Sequence, residues 1–188
     1  MKQRLPARNS MSLNRLSYLK EPGMTKIIGI DPGVAATGIG IVKGRGLEVA
    51  GYSFGSVHTP KNISMAHRLD QIFSKLVLVL QEEKPDFMVV EDVFSLQKFP
   101  KSGINLGKVT GVILLAGYRA SVPVVEISVR EVKQILTGNG NASKAQLEKS
   151  VRHLLKTTNP IKPDHASDAL ALALIGLFRN HDGLTGNA

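Results

Sequence analysis

Three carboxylates stand where acids are expensive to place. Asp31 closes the apolar run Lys26 to Gly33 (KIIGIDPG), Glu91 closes Asp86 to Phe94 (DFMVVEDVF), and Asp168 leads the wholly apolar end of His165 to Leu174 (HASDALALAL). A carboxylate in such company is costly unless it is protonated, paired or bound to a cation. Taken singly, Asp31 reads as an Asp-Pro-Gly turn residue and Asp168 as a first-turn acid favoured by the helix dipole. Taken together, on a chain of strongly positive charge, the three point to a magnesium site for phosphate chemistry. His165 stands three residues before Asp168, so both occupy one helical face. Asp164 can reach that face too, but it follows Pro163 and is equally suited to capping. Asp92 follows Glu91 directly, and successive strand residues point to opposite faces.

The elements that must position these groups follow from hydrophobic period and punctuation. Apolar runs at 26 to 31, 38 to 43 and 47 to 54, separated by Gly-containing turns, predict a three-stranded meander. Ile63, Ala66, Leu69, Ile72, Phe73, Leu76 and Leu80 fall at helical spacing, and Pro85 ends that helix. Phe87 to Glu91 reads as a buried strand. Leu106 to Ala120 is a helix apolar over much of its circumference, which asks for two burying surfaces, the sheet and a partner subunit. Val122 to Ile127 is the fifth strand. Ser128 with Glu131, and Ser143 with Gln146, each fit a capping box, predicting helices from about 129 and 144. A last helix runs from near Asp164 to about Arg179.

A length of 188 residues with 43% hydrophobic content supports one core. Its expected limits are 24–180, between a disordered basic N-terminal extension over 1–23 and a flexible tail over 181–188. The longest apolar stretch, Ala169 to Phe178, is too short to cross a bilayer. With no cysteine, the chain has no disulfides, thiolate zinc sites or cysteine nucleophiles. A soluble, cytoplasmic protein is expected, and any metal must use oxygen or imidazole ligands. The formal charge of +9 is uneven: residues 98 to 163 hold eleven basic and three acidic side chains, net +8, whereas 24 to 97 are net −1. The excess sits between the second and third acidic motifs, where it reads as a solvated helical surface or as a phosphate-binding face.

The predicted order, three strands, helix, strand, helix, strand and then helices, resembles the α/β RNase H-like fold, with a central mixed five-stranded sheet flanked by helices. The segments GIDPG with Thr37-Gly38, VVEDVF, LGKVTG, VREVKQILTGNGNASK and HASDALALA, in that order over roughly residues 24 to 179, resemble the RuvC family of Holliday junction resolvases. No single fragment carries the likeness, since DPG alone is common. The resemblance implies that Asp31, Glu91, His165 and Asp168 bind two divalent ions, Mg²⁺ with Mn²⁺ as a substitute. Many members have an acid where this chain has His165. It further implies a metal-dependent endonuclease making paired symmetric nicks in four-way DNA junctions, during recombination and repair, and leaving 5′-phosphate and 3′-hydroxyl ends. Phe94 would sit at the junction core, and Lys133 and Lys144 would contact phosphates. A homodimer is expected, because one centre can make only one cut at a time, with RuvA and RuvB as partners. Two other readings are an RNase H-like nuclease acting on structured RNA or hybrids, which would keep the same acids, and a non-catalytic DNA-binding scaffold, which would tolerate their loss. An actin-like ATPase would need two such subdomains, for which the chain is too short.

Overall fold

Side chains alternate between the faces of a sheet, and the first strand, β1 (Thr25–Asp31), is apolar on both of its sides. Ile28 and Ile30 point one way; Ile27, Gly29 and Asp31 point the other. Both faces therefore need a cover. The computed structural model describes residues 23–92 and 100–181, and there β1 is the middle of a five-stranded sheet of order β3-β2-β1-β4-β5. The other strands are β2 (Ala36–Arg45), β3 (Glu48–His58), β4 (Phe87–Glu91) and β5 (Val124–Ile127). β1, β2 and β3 form the expected antiparallel meander, while β4 pairs parallel to β1 and β5 parallel to β4. This is the mixed five-stranded sheet of the RNase H-like fold. Of the predicted N-terminal arm and tail, all but Gly23 and His181 lie outside the described residues.

Helix α1 (Met65–Glu83) and helix α2 (Pro100–Arg119) cover one face, closing over Ile28, Ile30, Ile39, Ile41, Met88 and Val90. Ser64 caps α1 by accepting from the His67 amide at 3.2 Å, and Lys84, left-handed at φ 47°, stops it just before Pro85. The buried stripe of α1 is Ile72, Leu76, Val79 and Leu80, so Ala66, which the spacing had put on the apolar face, is exposed. On α2, which starts six residues before the predicted Leu106, Val109, Ile113 and Ala116 are buried. Ile104, Leu115 and Tyr118 are exposed, Tyr118 by 82%. Among the described residues, only one of the two burying surfaces that α2 asks for is present.

The opposite face is covered by α5 (Asp164–His181), with α3 (Val129–Thr137) and α4 (Lys144–Leu154) packed in the same core. A helix apolar all round must be buried all round, and Ala169 to Ile175 are all buried. Ser143 and Gln146 form the predicted reciprocal capping box. At Ser128 only half of one forms: its hydroxyl accepts from the Glu131 amide at 3.3 Å, but the Glu131 carboxylate pairs with Arg179 on α5 instead. A side chain that can tie two elements together has left the local bond for the tertiary one. No helix among the described residues is long and apolar enough to cross a membrane.

Candidate metal centre at the strand ends

Asp31 and Glu91 end neighbouring parallel strands in matching register, one step beyond the Ile30–Val90 pair. By alternation both lie on the face that α5 covers. What lets α5 come close enough to join them is missing side chain. Gly38 is the β2 partner of Asp31, and a Cβ there would stand 2.1 Å from the His165 carbonyl oxygen. At Gly29, two residues before Asp31, a Cβ would meet the Ala169 carbonyl oxygen at the same 2.1 Å. The helix thus rests on bare backbone, and its first turn is held against the strand end that carries Asp31.

The first turn of α5 puts two groups into the cluster. His165 Nδ1 lies 2.7 Å from Asp31 Oδ2, and with Asp31 ionised the ring must donate from Nδ1. Asp168 Oδ2 accepts from Lys144 Nζ at 2.9 Å, and Lys144 is the first residue of α4, immediately after its Ser143 cap. Burial raises the Asp31 carboxyl above its ordinary range; the His165 bond opposes that shift and the Asp168 charge adds to it. Burial also pushes Glu91 up, to about 7, helped by the charges of Asp31 and Asp168 and by a hydrogen bond to Asp31. Lys144 is held protonated more firmly than usual, first by its bond to Asp168 and also by the charges of Asp31 and Glu91. Three carboxylates, one imidazole and one ammonium therefore share a single electrostatic centre.

Of the residues picked out by motif, Asp31, Glu91, His165 and Asp168 interact with one another through hydrogen bonds and charge. Asp164 turns outward, paired with Lys162 at 3.0 Å and 66% exposed, which pulls its carboxyl below the ordinary range. Of Asp164 and His165, His165 is the one whose side chain meets Asp31. The Asp92 amide continues the sheet by donating to the Ile127 carbonyl at 2.9 Å. Lys133 is half-buried on α3 and makes no ion pair among the described residues. Phe94 lies outside the described residues. The pairing of Lys144 with Asp168 was not foreseen. Its only sequence signal is the capping box that fixes where α4 begins.

The donor set fits hard divalent cations: carboxylate oxygens and one imidazole, no sulfur, with two carboxyls raised first by burial and further by neighbouring carboxylate charge. In the geometry seen here, no three or more of the described His, Asp and Glu side chains are gathered closely enough to hold a metal ion. His165 and Lys144 supply the internal counter-partners of Asp31 and Asp168.

Comparison with known proteins agrees with this site. The family description "Crossover junction endodeoxyribonuclease RuvC" matches residues 27–176. A protein of that name from Carboxydothermus hydrogenoformans is 42% identical over 154 residues, covering 82% of this chain and 96% of the relative. The one from Thermotoga maritima is 36% identical over 151 residues, covering 80% and 89%. Among solved structures, Thermus thermophilus RuvC in complex with a Holliday junction substrate superposes with a TM-score of 0.79 at 30% identity, covering 85% of this chain and 97% of that one. The yeast mitochondrial Holliday junction resolvase Ydc2, at 13% identity and a TM-score of 0.57, shares the fold over 85% of this chain and 80% of its own. With four-fifths of its length matched by relatives of one name and its acids gathered at the strand ends, the chain belongs to the RuvC family of crossover junction endodeoxyribonucleases.

Proposed function

We propose that this protein is a Holliday junction resolvase, which nicks four-way DNA junctions at two symmetric positions during recombination and repair and leaves 5′-phosphate and 3′-hydroxyl ends. The observation that carries the proposal is the gathering of Asp31, Glu91, His165 and Asp168 at one end of the sheet in a chain of the RuvC family. That the Thermus relative was solved on a Holliday junction substrate supports the same substrate here.

Nucleases of this family are metal-dependent, and we take the ions to be two Mg²⁺, replaceable by Mn²⁺. Bound there, they would screen the phosphodiester and stabilise both the attacking and the leaving oxygen of an in-line displacement. Asp31, Glu91 and Asp168 would hold them, and each must be ionised to do so. His165 has its Nδ1 on Asp31, which leaves Nε2 on a ring 44% exposed. That nitrogen is free to orient water or take a proton from it. Lys144 holds Asp168 in the absence of DNA and, with its side chain 68% exposed, can move to a phosphate when a strand arrives. Lys133 and Phe94 are the further proposed contacts, Lys133 to the backbone and Phe94 by stacking on an unpaired base. Two symmetric cuts need two centres. The exposed apolar side of α2, with Ile104, Leu115 and Tyr118, is the surface proposed to pair with a second copy. RuvA and RuvB are the proposed cellular partners.

The test is cleavage of a labelled four-way junction in Mg²⁺, run beside linear duplex and RNA-containing controls and an Asp31→Asn protein. Paired nicks on the junction alone, abolished by Asp31→Asn, are expected. Cutting of RNA alone, or junction binding without cutting in either metal, would reject the assignment.

A further inference from the structure

The strand order sets the two carboxylate-bearing strands, β1 and β4, between unlike flanks. On the face covered by α5 lie α3 and α4, which follow β5 in the chain and carry Lys133 and Lys144. On the other side, beyond β2, lies the end of β3 and the start of α1. From Val49 to Leu69 the chain has no acidic residue, while it carries His58, Lys61, His67 and Arg68. This stretch is far from the basic segment in sequence, and the sheet brings its end level with Asp31: Asp31 pairs with Gly38, and Gly38 with Ser56.

Arg68 is the fixed point of this flank. Its Nε donates to Thr59 Oγ1 at 2.7 Å, and the buried Thr59 hydroxyl donates onward to the Val34 carbonyl at 2.5 Å. The Thr59 amide bonds the Ala35 carbonyl at 3.1 Å, which locks the same corner. Val34 is three residues on from Asp31, a span of at most about 11 Å. The guanidinium is therefore anchored through Nε to the turn that follows the first catalytic carboxylate. Its terminal nitrogens make no ion pair among the described residues. An arginine held in place by a threonine, in an acid-free stretch, is pre-organised for a phosphate, because its outer fork matches two phosphate oxygens. Lys61 and His67 are exposed beside it, and the first turn of α1 contains no acid to oppose them.

We propose that Arg68, positioned by Thr59 and supported by Lys61, is a second phosphate-binding surface on the β3 flank, holding the nicked strand on the side opposite Lys133 and Lys144. The strand would then be gripped on both sides of the centre, which fixes the scissile phosphate over Asp31 rather than merely near it. This rests on the junction-cutting reading for its substrate, but phosphate contact itself does not depend on which DNA is bound.

The test measures binding of a fluorescent four-way junction as a function of salt, from roughly 50 to 200 mM. All proteins carry Asp31→Asn so that nothing is cut. Removing one phosphate contact lowers the slope of log affinity against log salt by about 0.9. Arg68→Ala should show that drop with affinity weakened about tenfold at low salt. Arg68→Lys should keep most of the slope while binding more weakly, since it keeps charge but not the fork. Lys61→Glu, an exposed loop change that leaves the fold alone, should also lower the slope. Slopes equal to the parent in both Arg68→Ala and Lys61→Glu would overturn the proposal, whatever happens to thermal stability. If the parent protein prefers duplex to junction, the resolvase reading fails, and the same slopes measured on duplex still decide the role of Arg68.

Discussion

Substituting Gly38 by alanine tests how much of the catalytic arrangement depends on the seating of one helix. The added Cβ would lie 2.1 Å from the His165 carbonyl oxygen, whereas a relaxed carbon–oxygen contact is about 3.3 Å or more. The start of α5 must therefore retreat by roughly 1.2 Å, because the opposing atom is backbone and cannot swing aside. Overpacking of this kind costs about 1 to 3 kcal/mol of stability. The kinetic loss should be larger in proportion, since a displacement of about 1 Å in a positioned group can cost about a hundredfold in rate. His165 and Asp168 move together away from Asp31 and Glu91. Single-turnover cleavage of a labelled junction, measured well below the melting temperature, should fall about a hundredfold while junction affinity stays within about threefold. Gly55→Ala is the control: it sits on β3 opposite Ile39 with nothing within 4 Å of its added Cβ. If Gly38→Ala cuts at the parent rate, or if Gly55→Ala loses as much, the helix does not set the geometry of the centre.

The remaining expectations concern charge and assembly. Glu91 is raised from 4.5 to about 7 in the folded protein without metal, so its protonated form is the one the fold favours. Its contribution to stability is complete below about 4.5 and is lost as pH rises through about 7. Glu91→Gln should accordingly raise the melting temperature of the metal-free protein at pH 8 by roughly 5 °C while abolishing cutting. A lower melting temperature in calorimetry would contradict this account. Lys144→Ala removes an exposed ion pair and should shift stability by less than about 1 kcal/mol, yet kcat/KM on junctions should drop more than about tenfold. A loss of activity no greater than the loss of stability would assign Lys144 to structure alone. Replacing Leu115 and Tyr118 together by glutamate should weaken self-association by more than about a hundredfold, given about 3 kcal/mol or more for two large apolar side chains. Light scattering should then report monomers, and nicks should accumulate one strand at a time; a variant that stays dimeric would place the interface elsewhere.

The sheet and helices were legible because their cues are local: isoleucine runs, a stripe at helical spacing, serines ahead of helices. The acids were legible because apolar surroundings made each conspicuous, and His165 because its spacing to Asp168 is a property of the helix itself. The features that escaped depend on elements distant in sequence. Gly29 and Gly38 weaken a strand when judged alone, and their purpose is visible only when α5 lies on them. β3 runs to His58 rather than ending near 54, because its last residues are held by pairing with β2. Glu131 was read as a capping partner of Ser128, and it is the arrival of Arg179 that diverts it. In the same way nothing near Lys144 in sequence announces its bond to Asp168.

The bare backbone beneath α5 also bears on the order in which the molecule can be made. Chains emerge from the ribosome N-terminus first and fold as they are released. The meander, β4 and β5 can assemble while α5 is still being synthesised. Until it docks, Gly29, Ile27, Val42 and Val89 form an uncovered face, and Asp31 and Glu91 have no partner from the last helix. A nascent or truncated chain is therefore a sticky sheet with two stranded acids and not a weak nuclease. The capacity to cut DNA arrives in a single late step, with the helix that also seals the core.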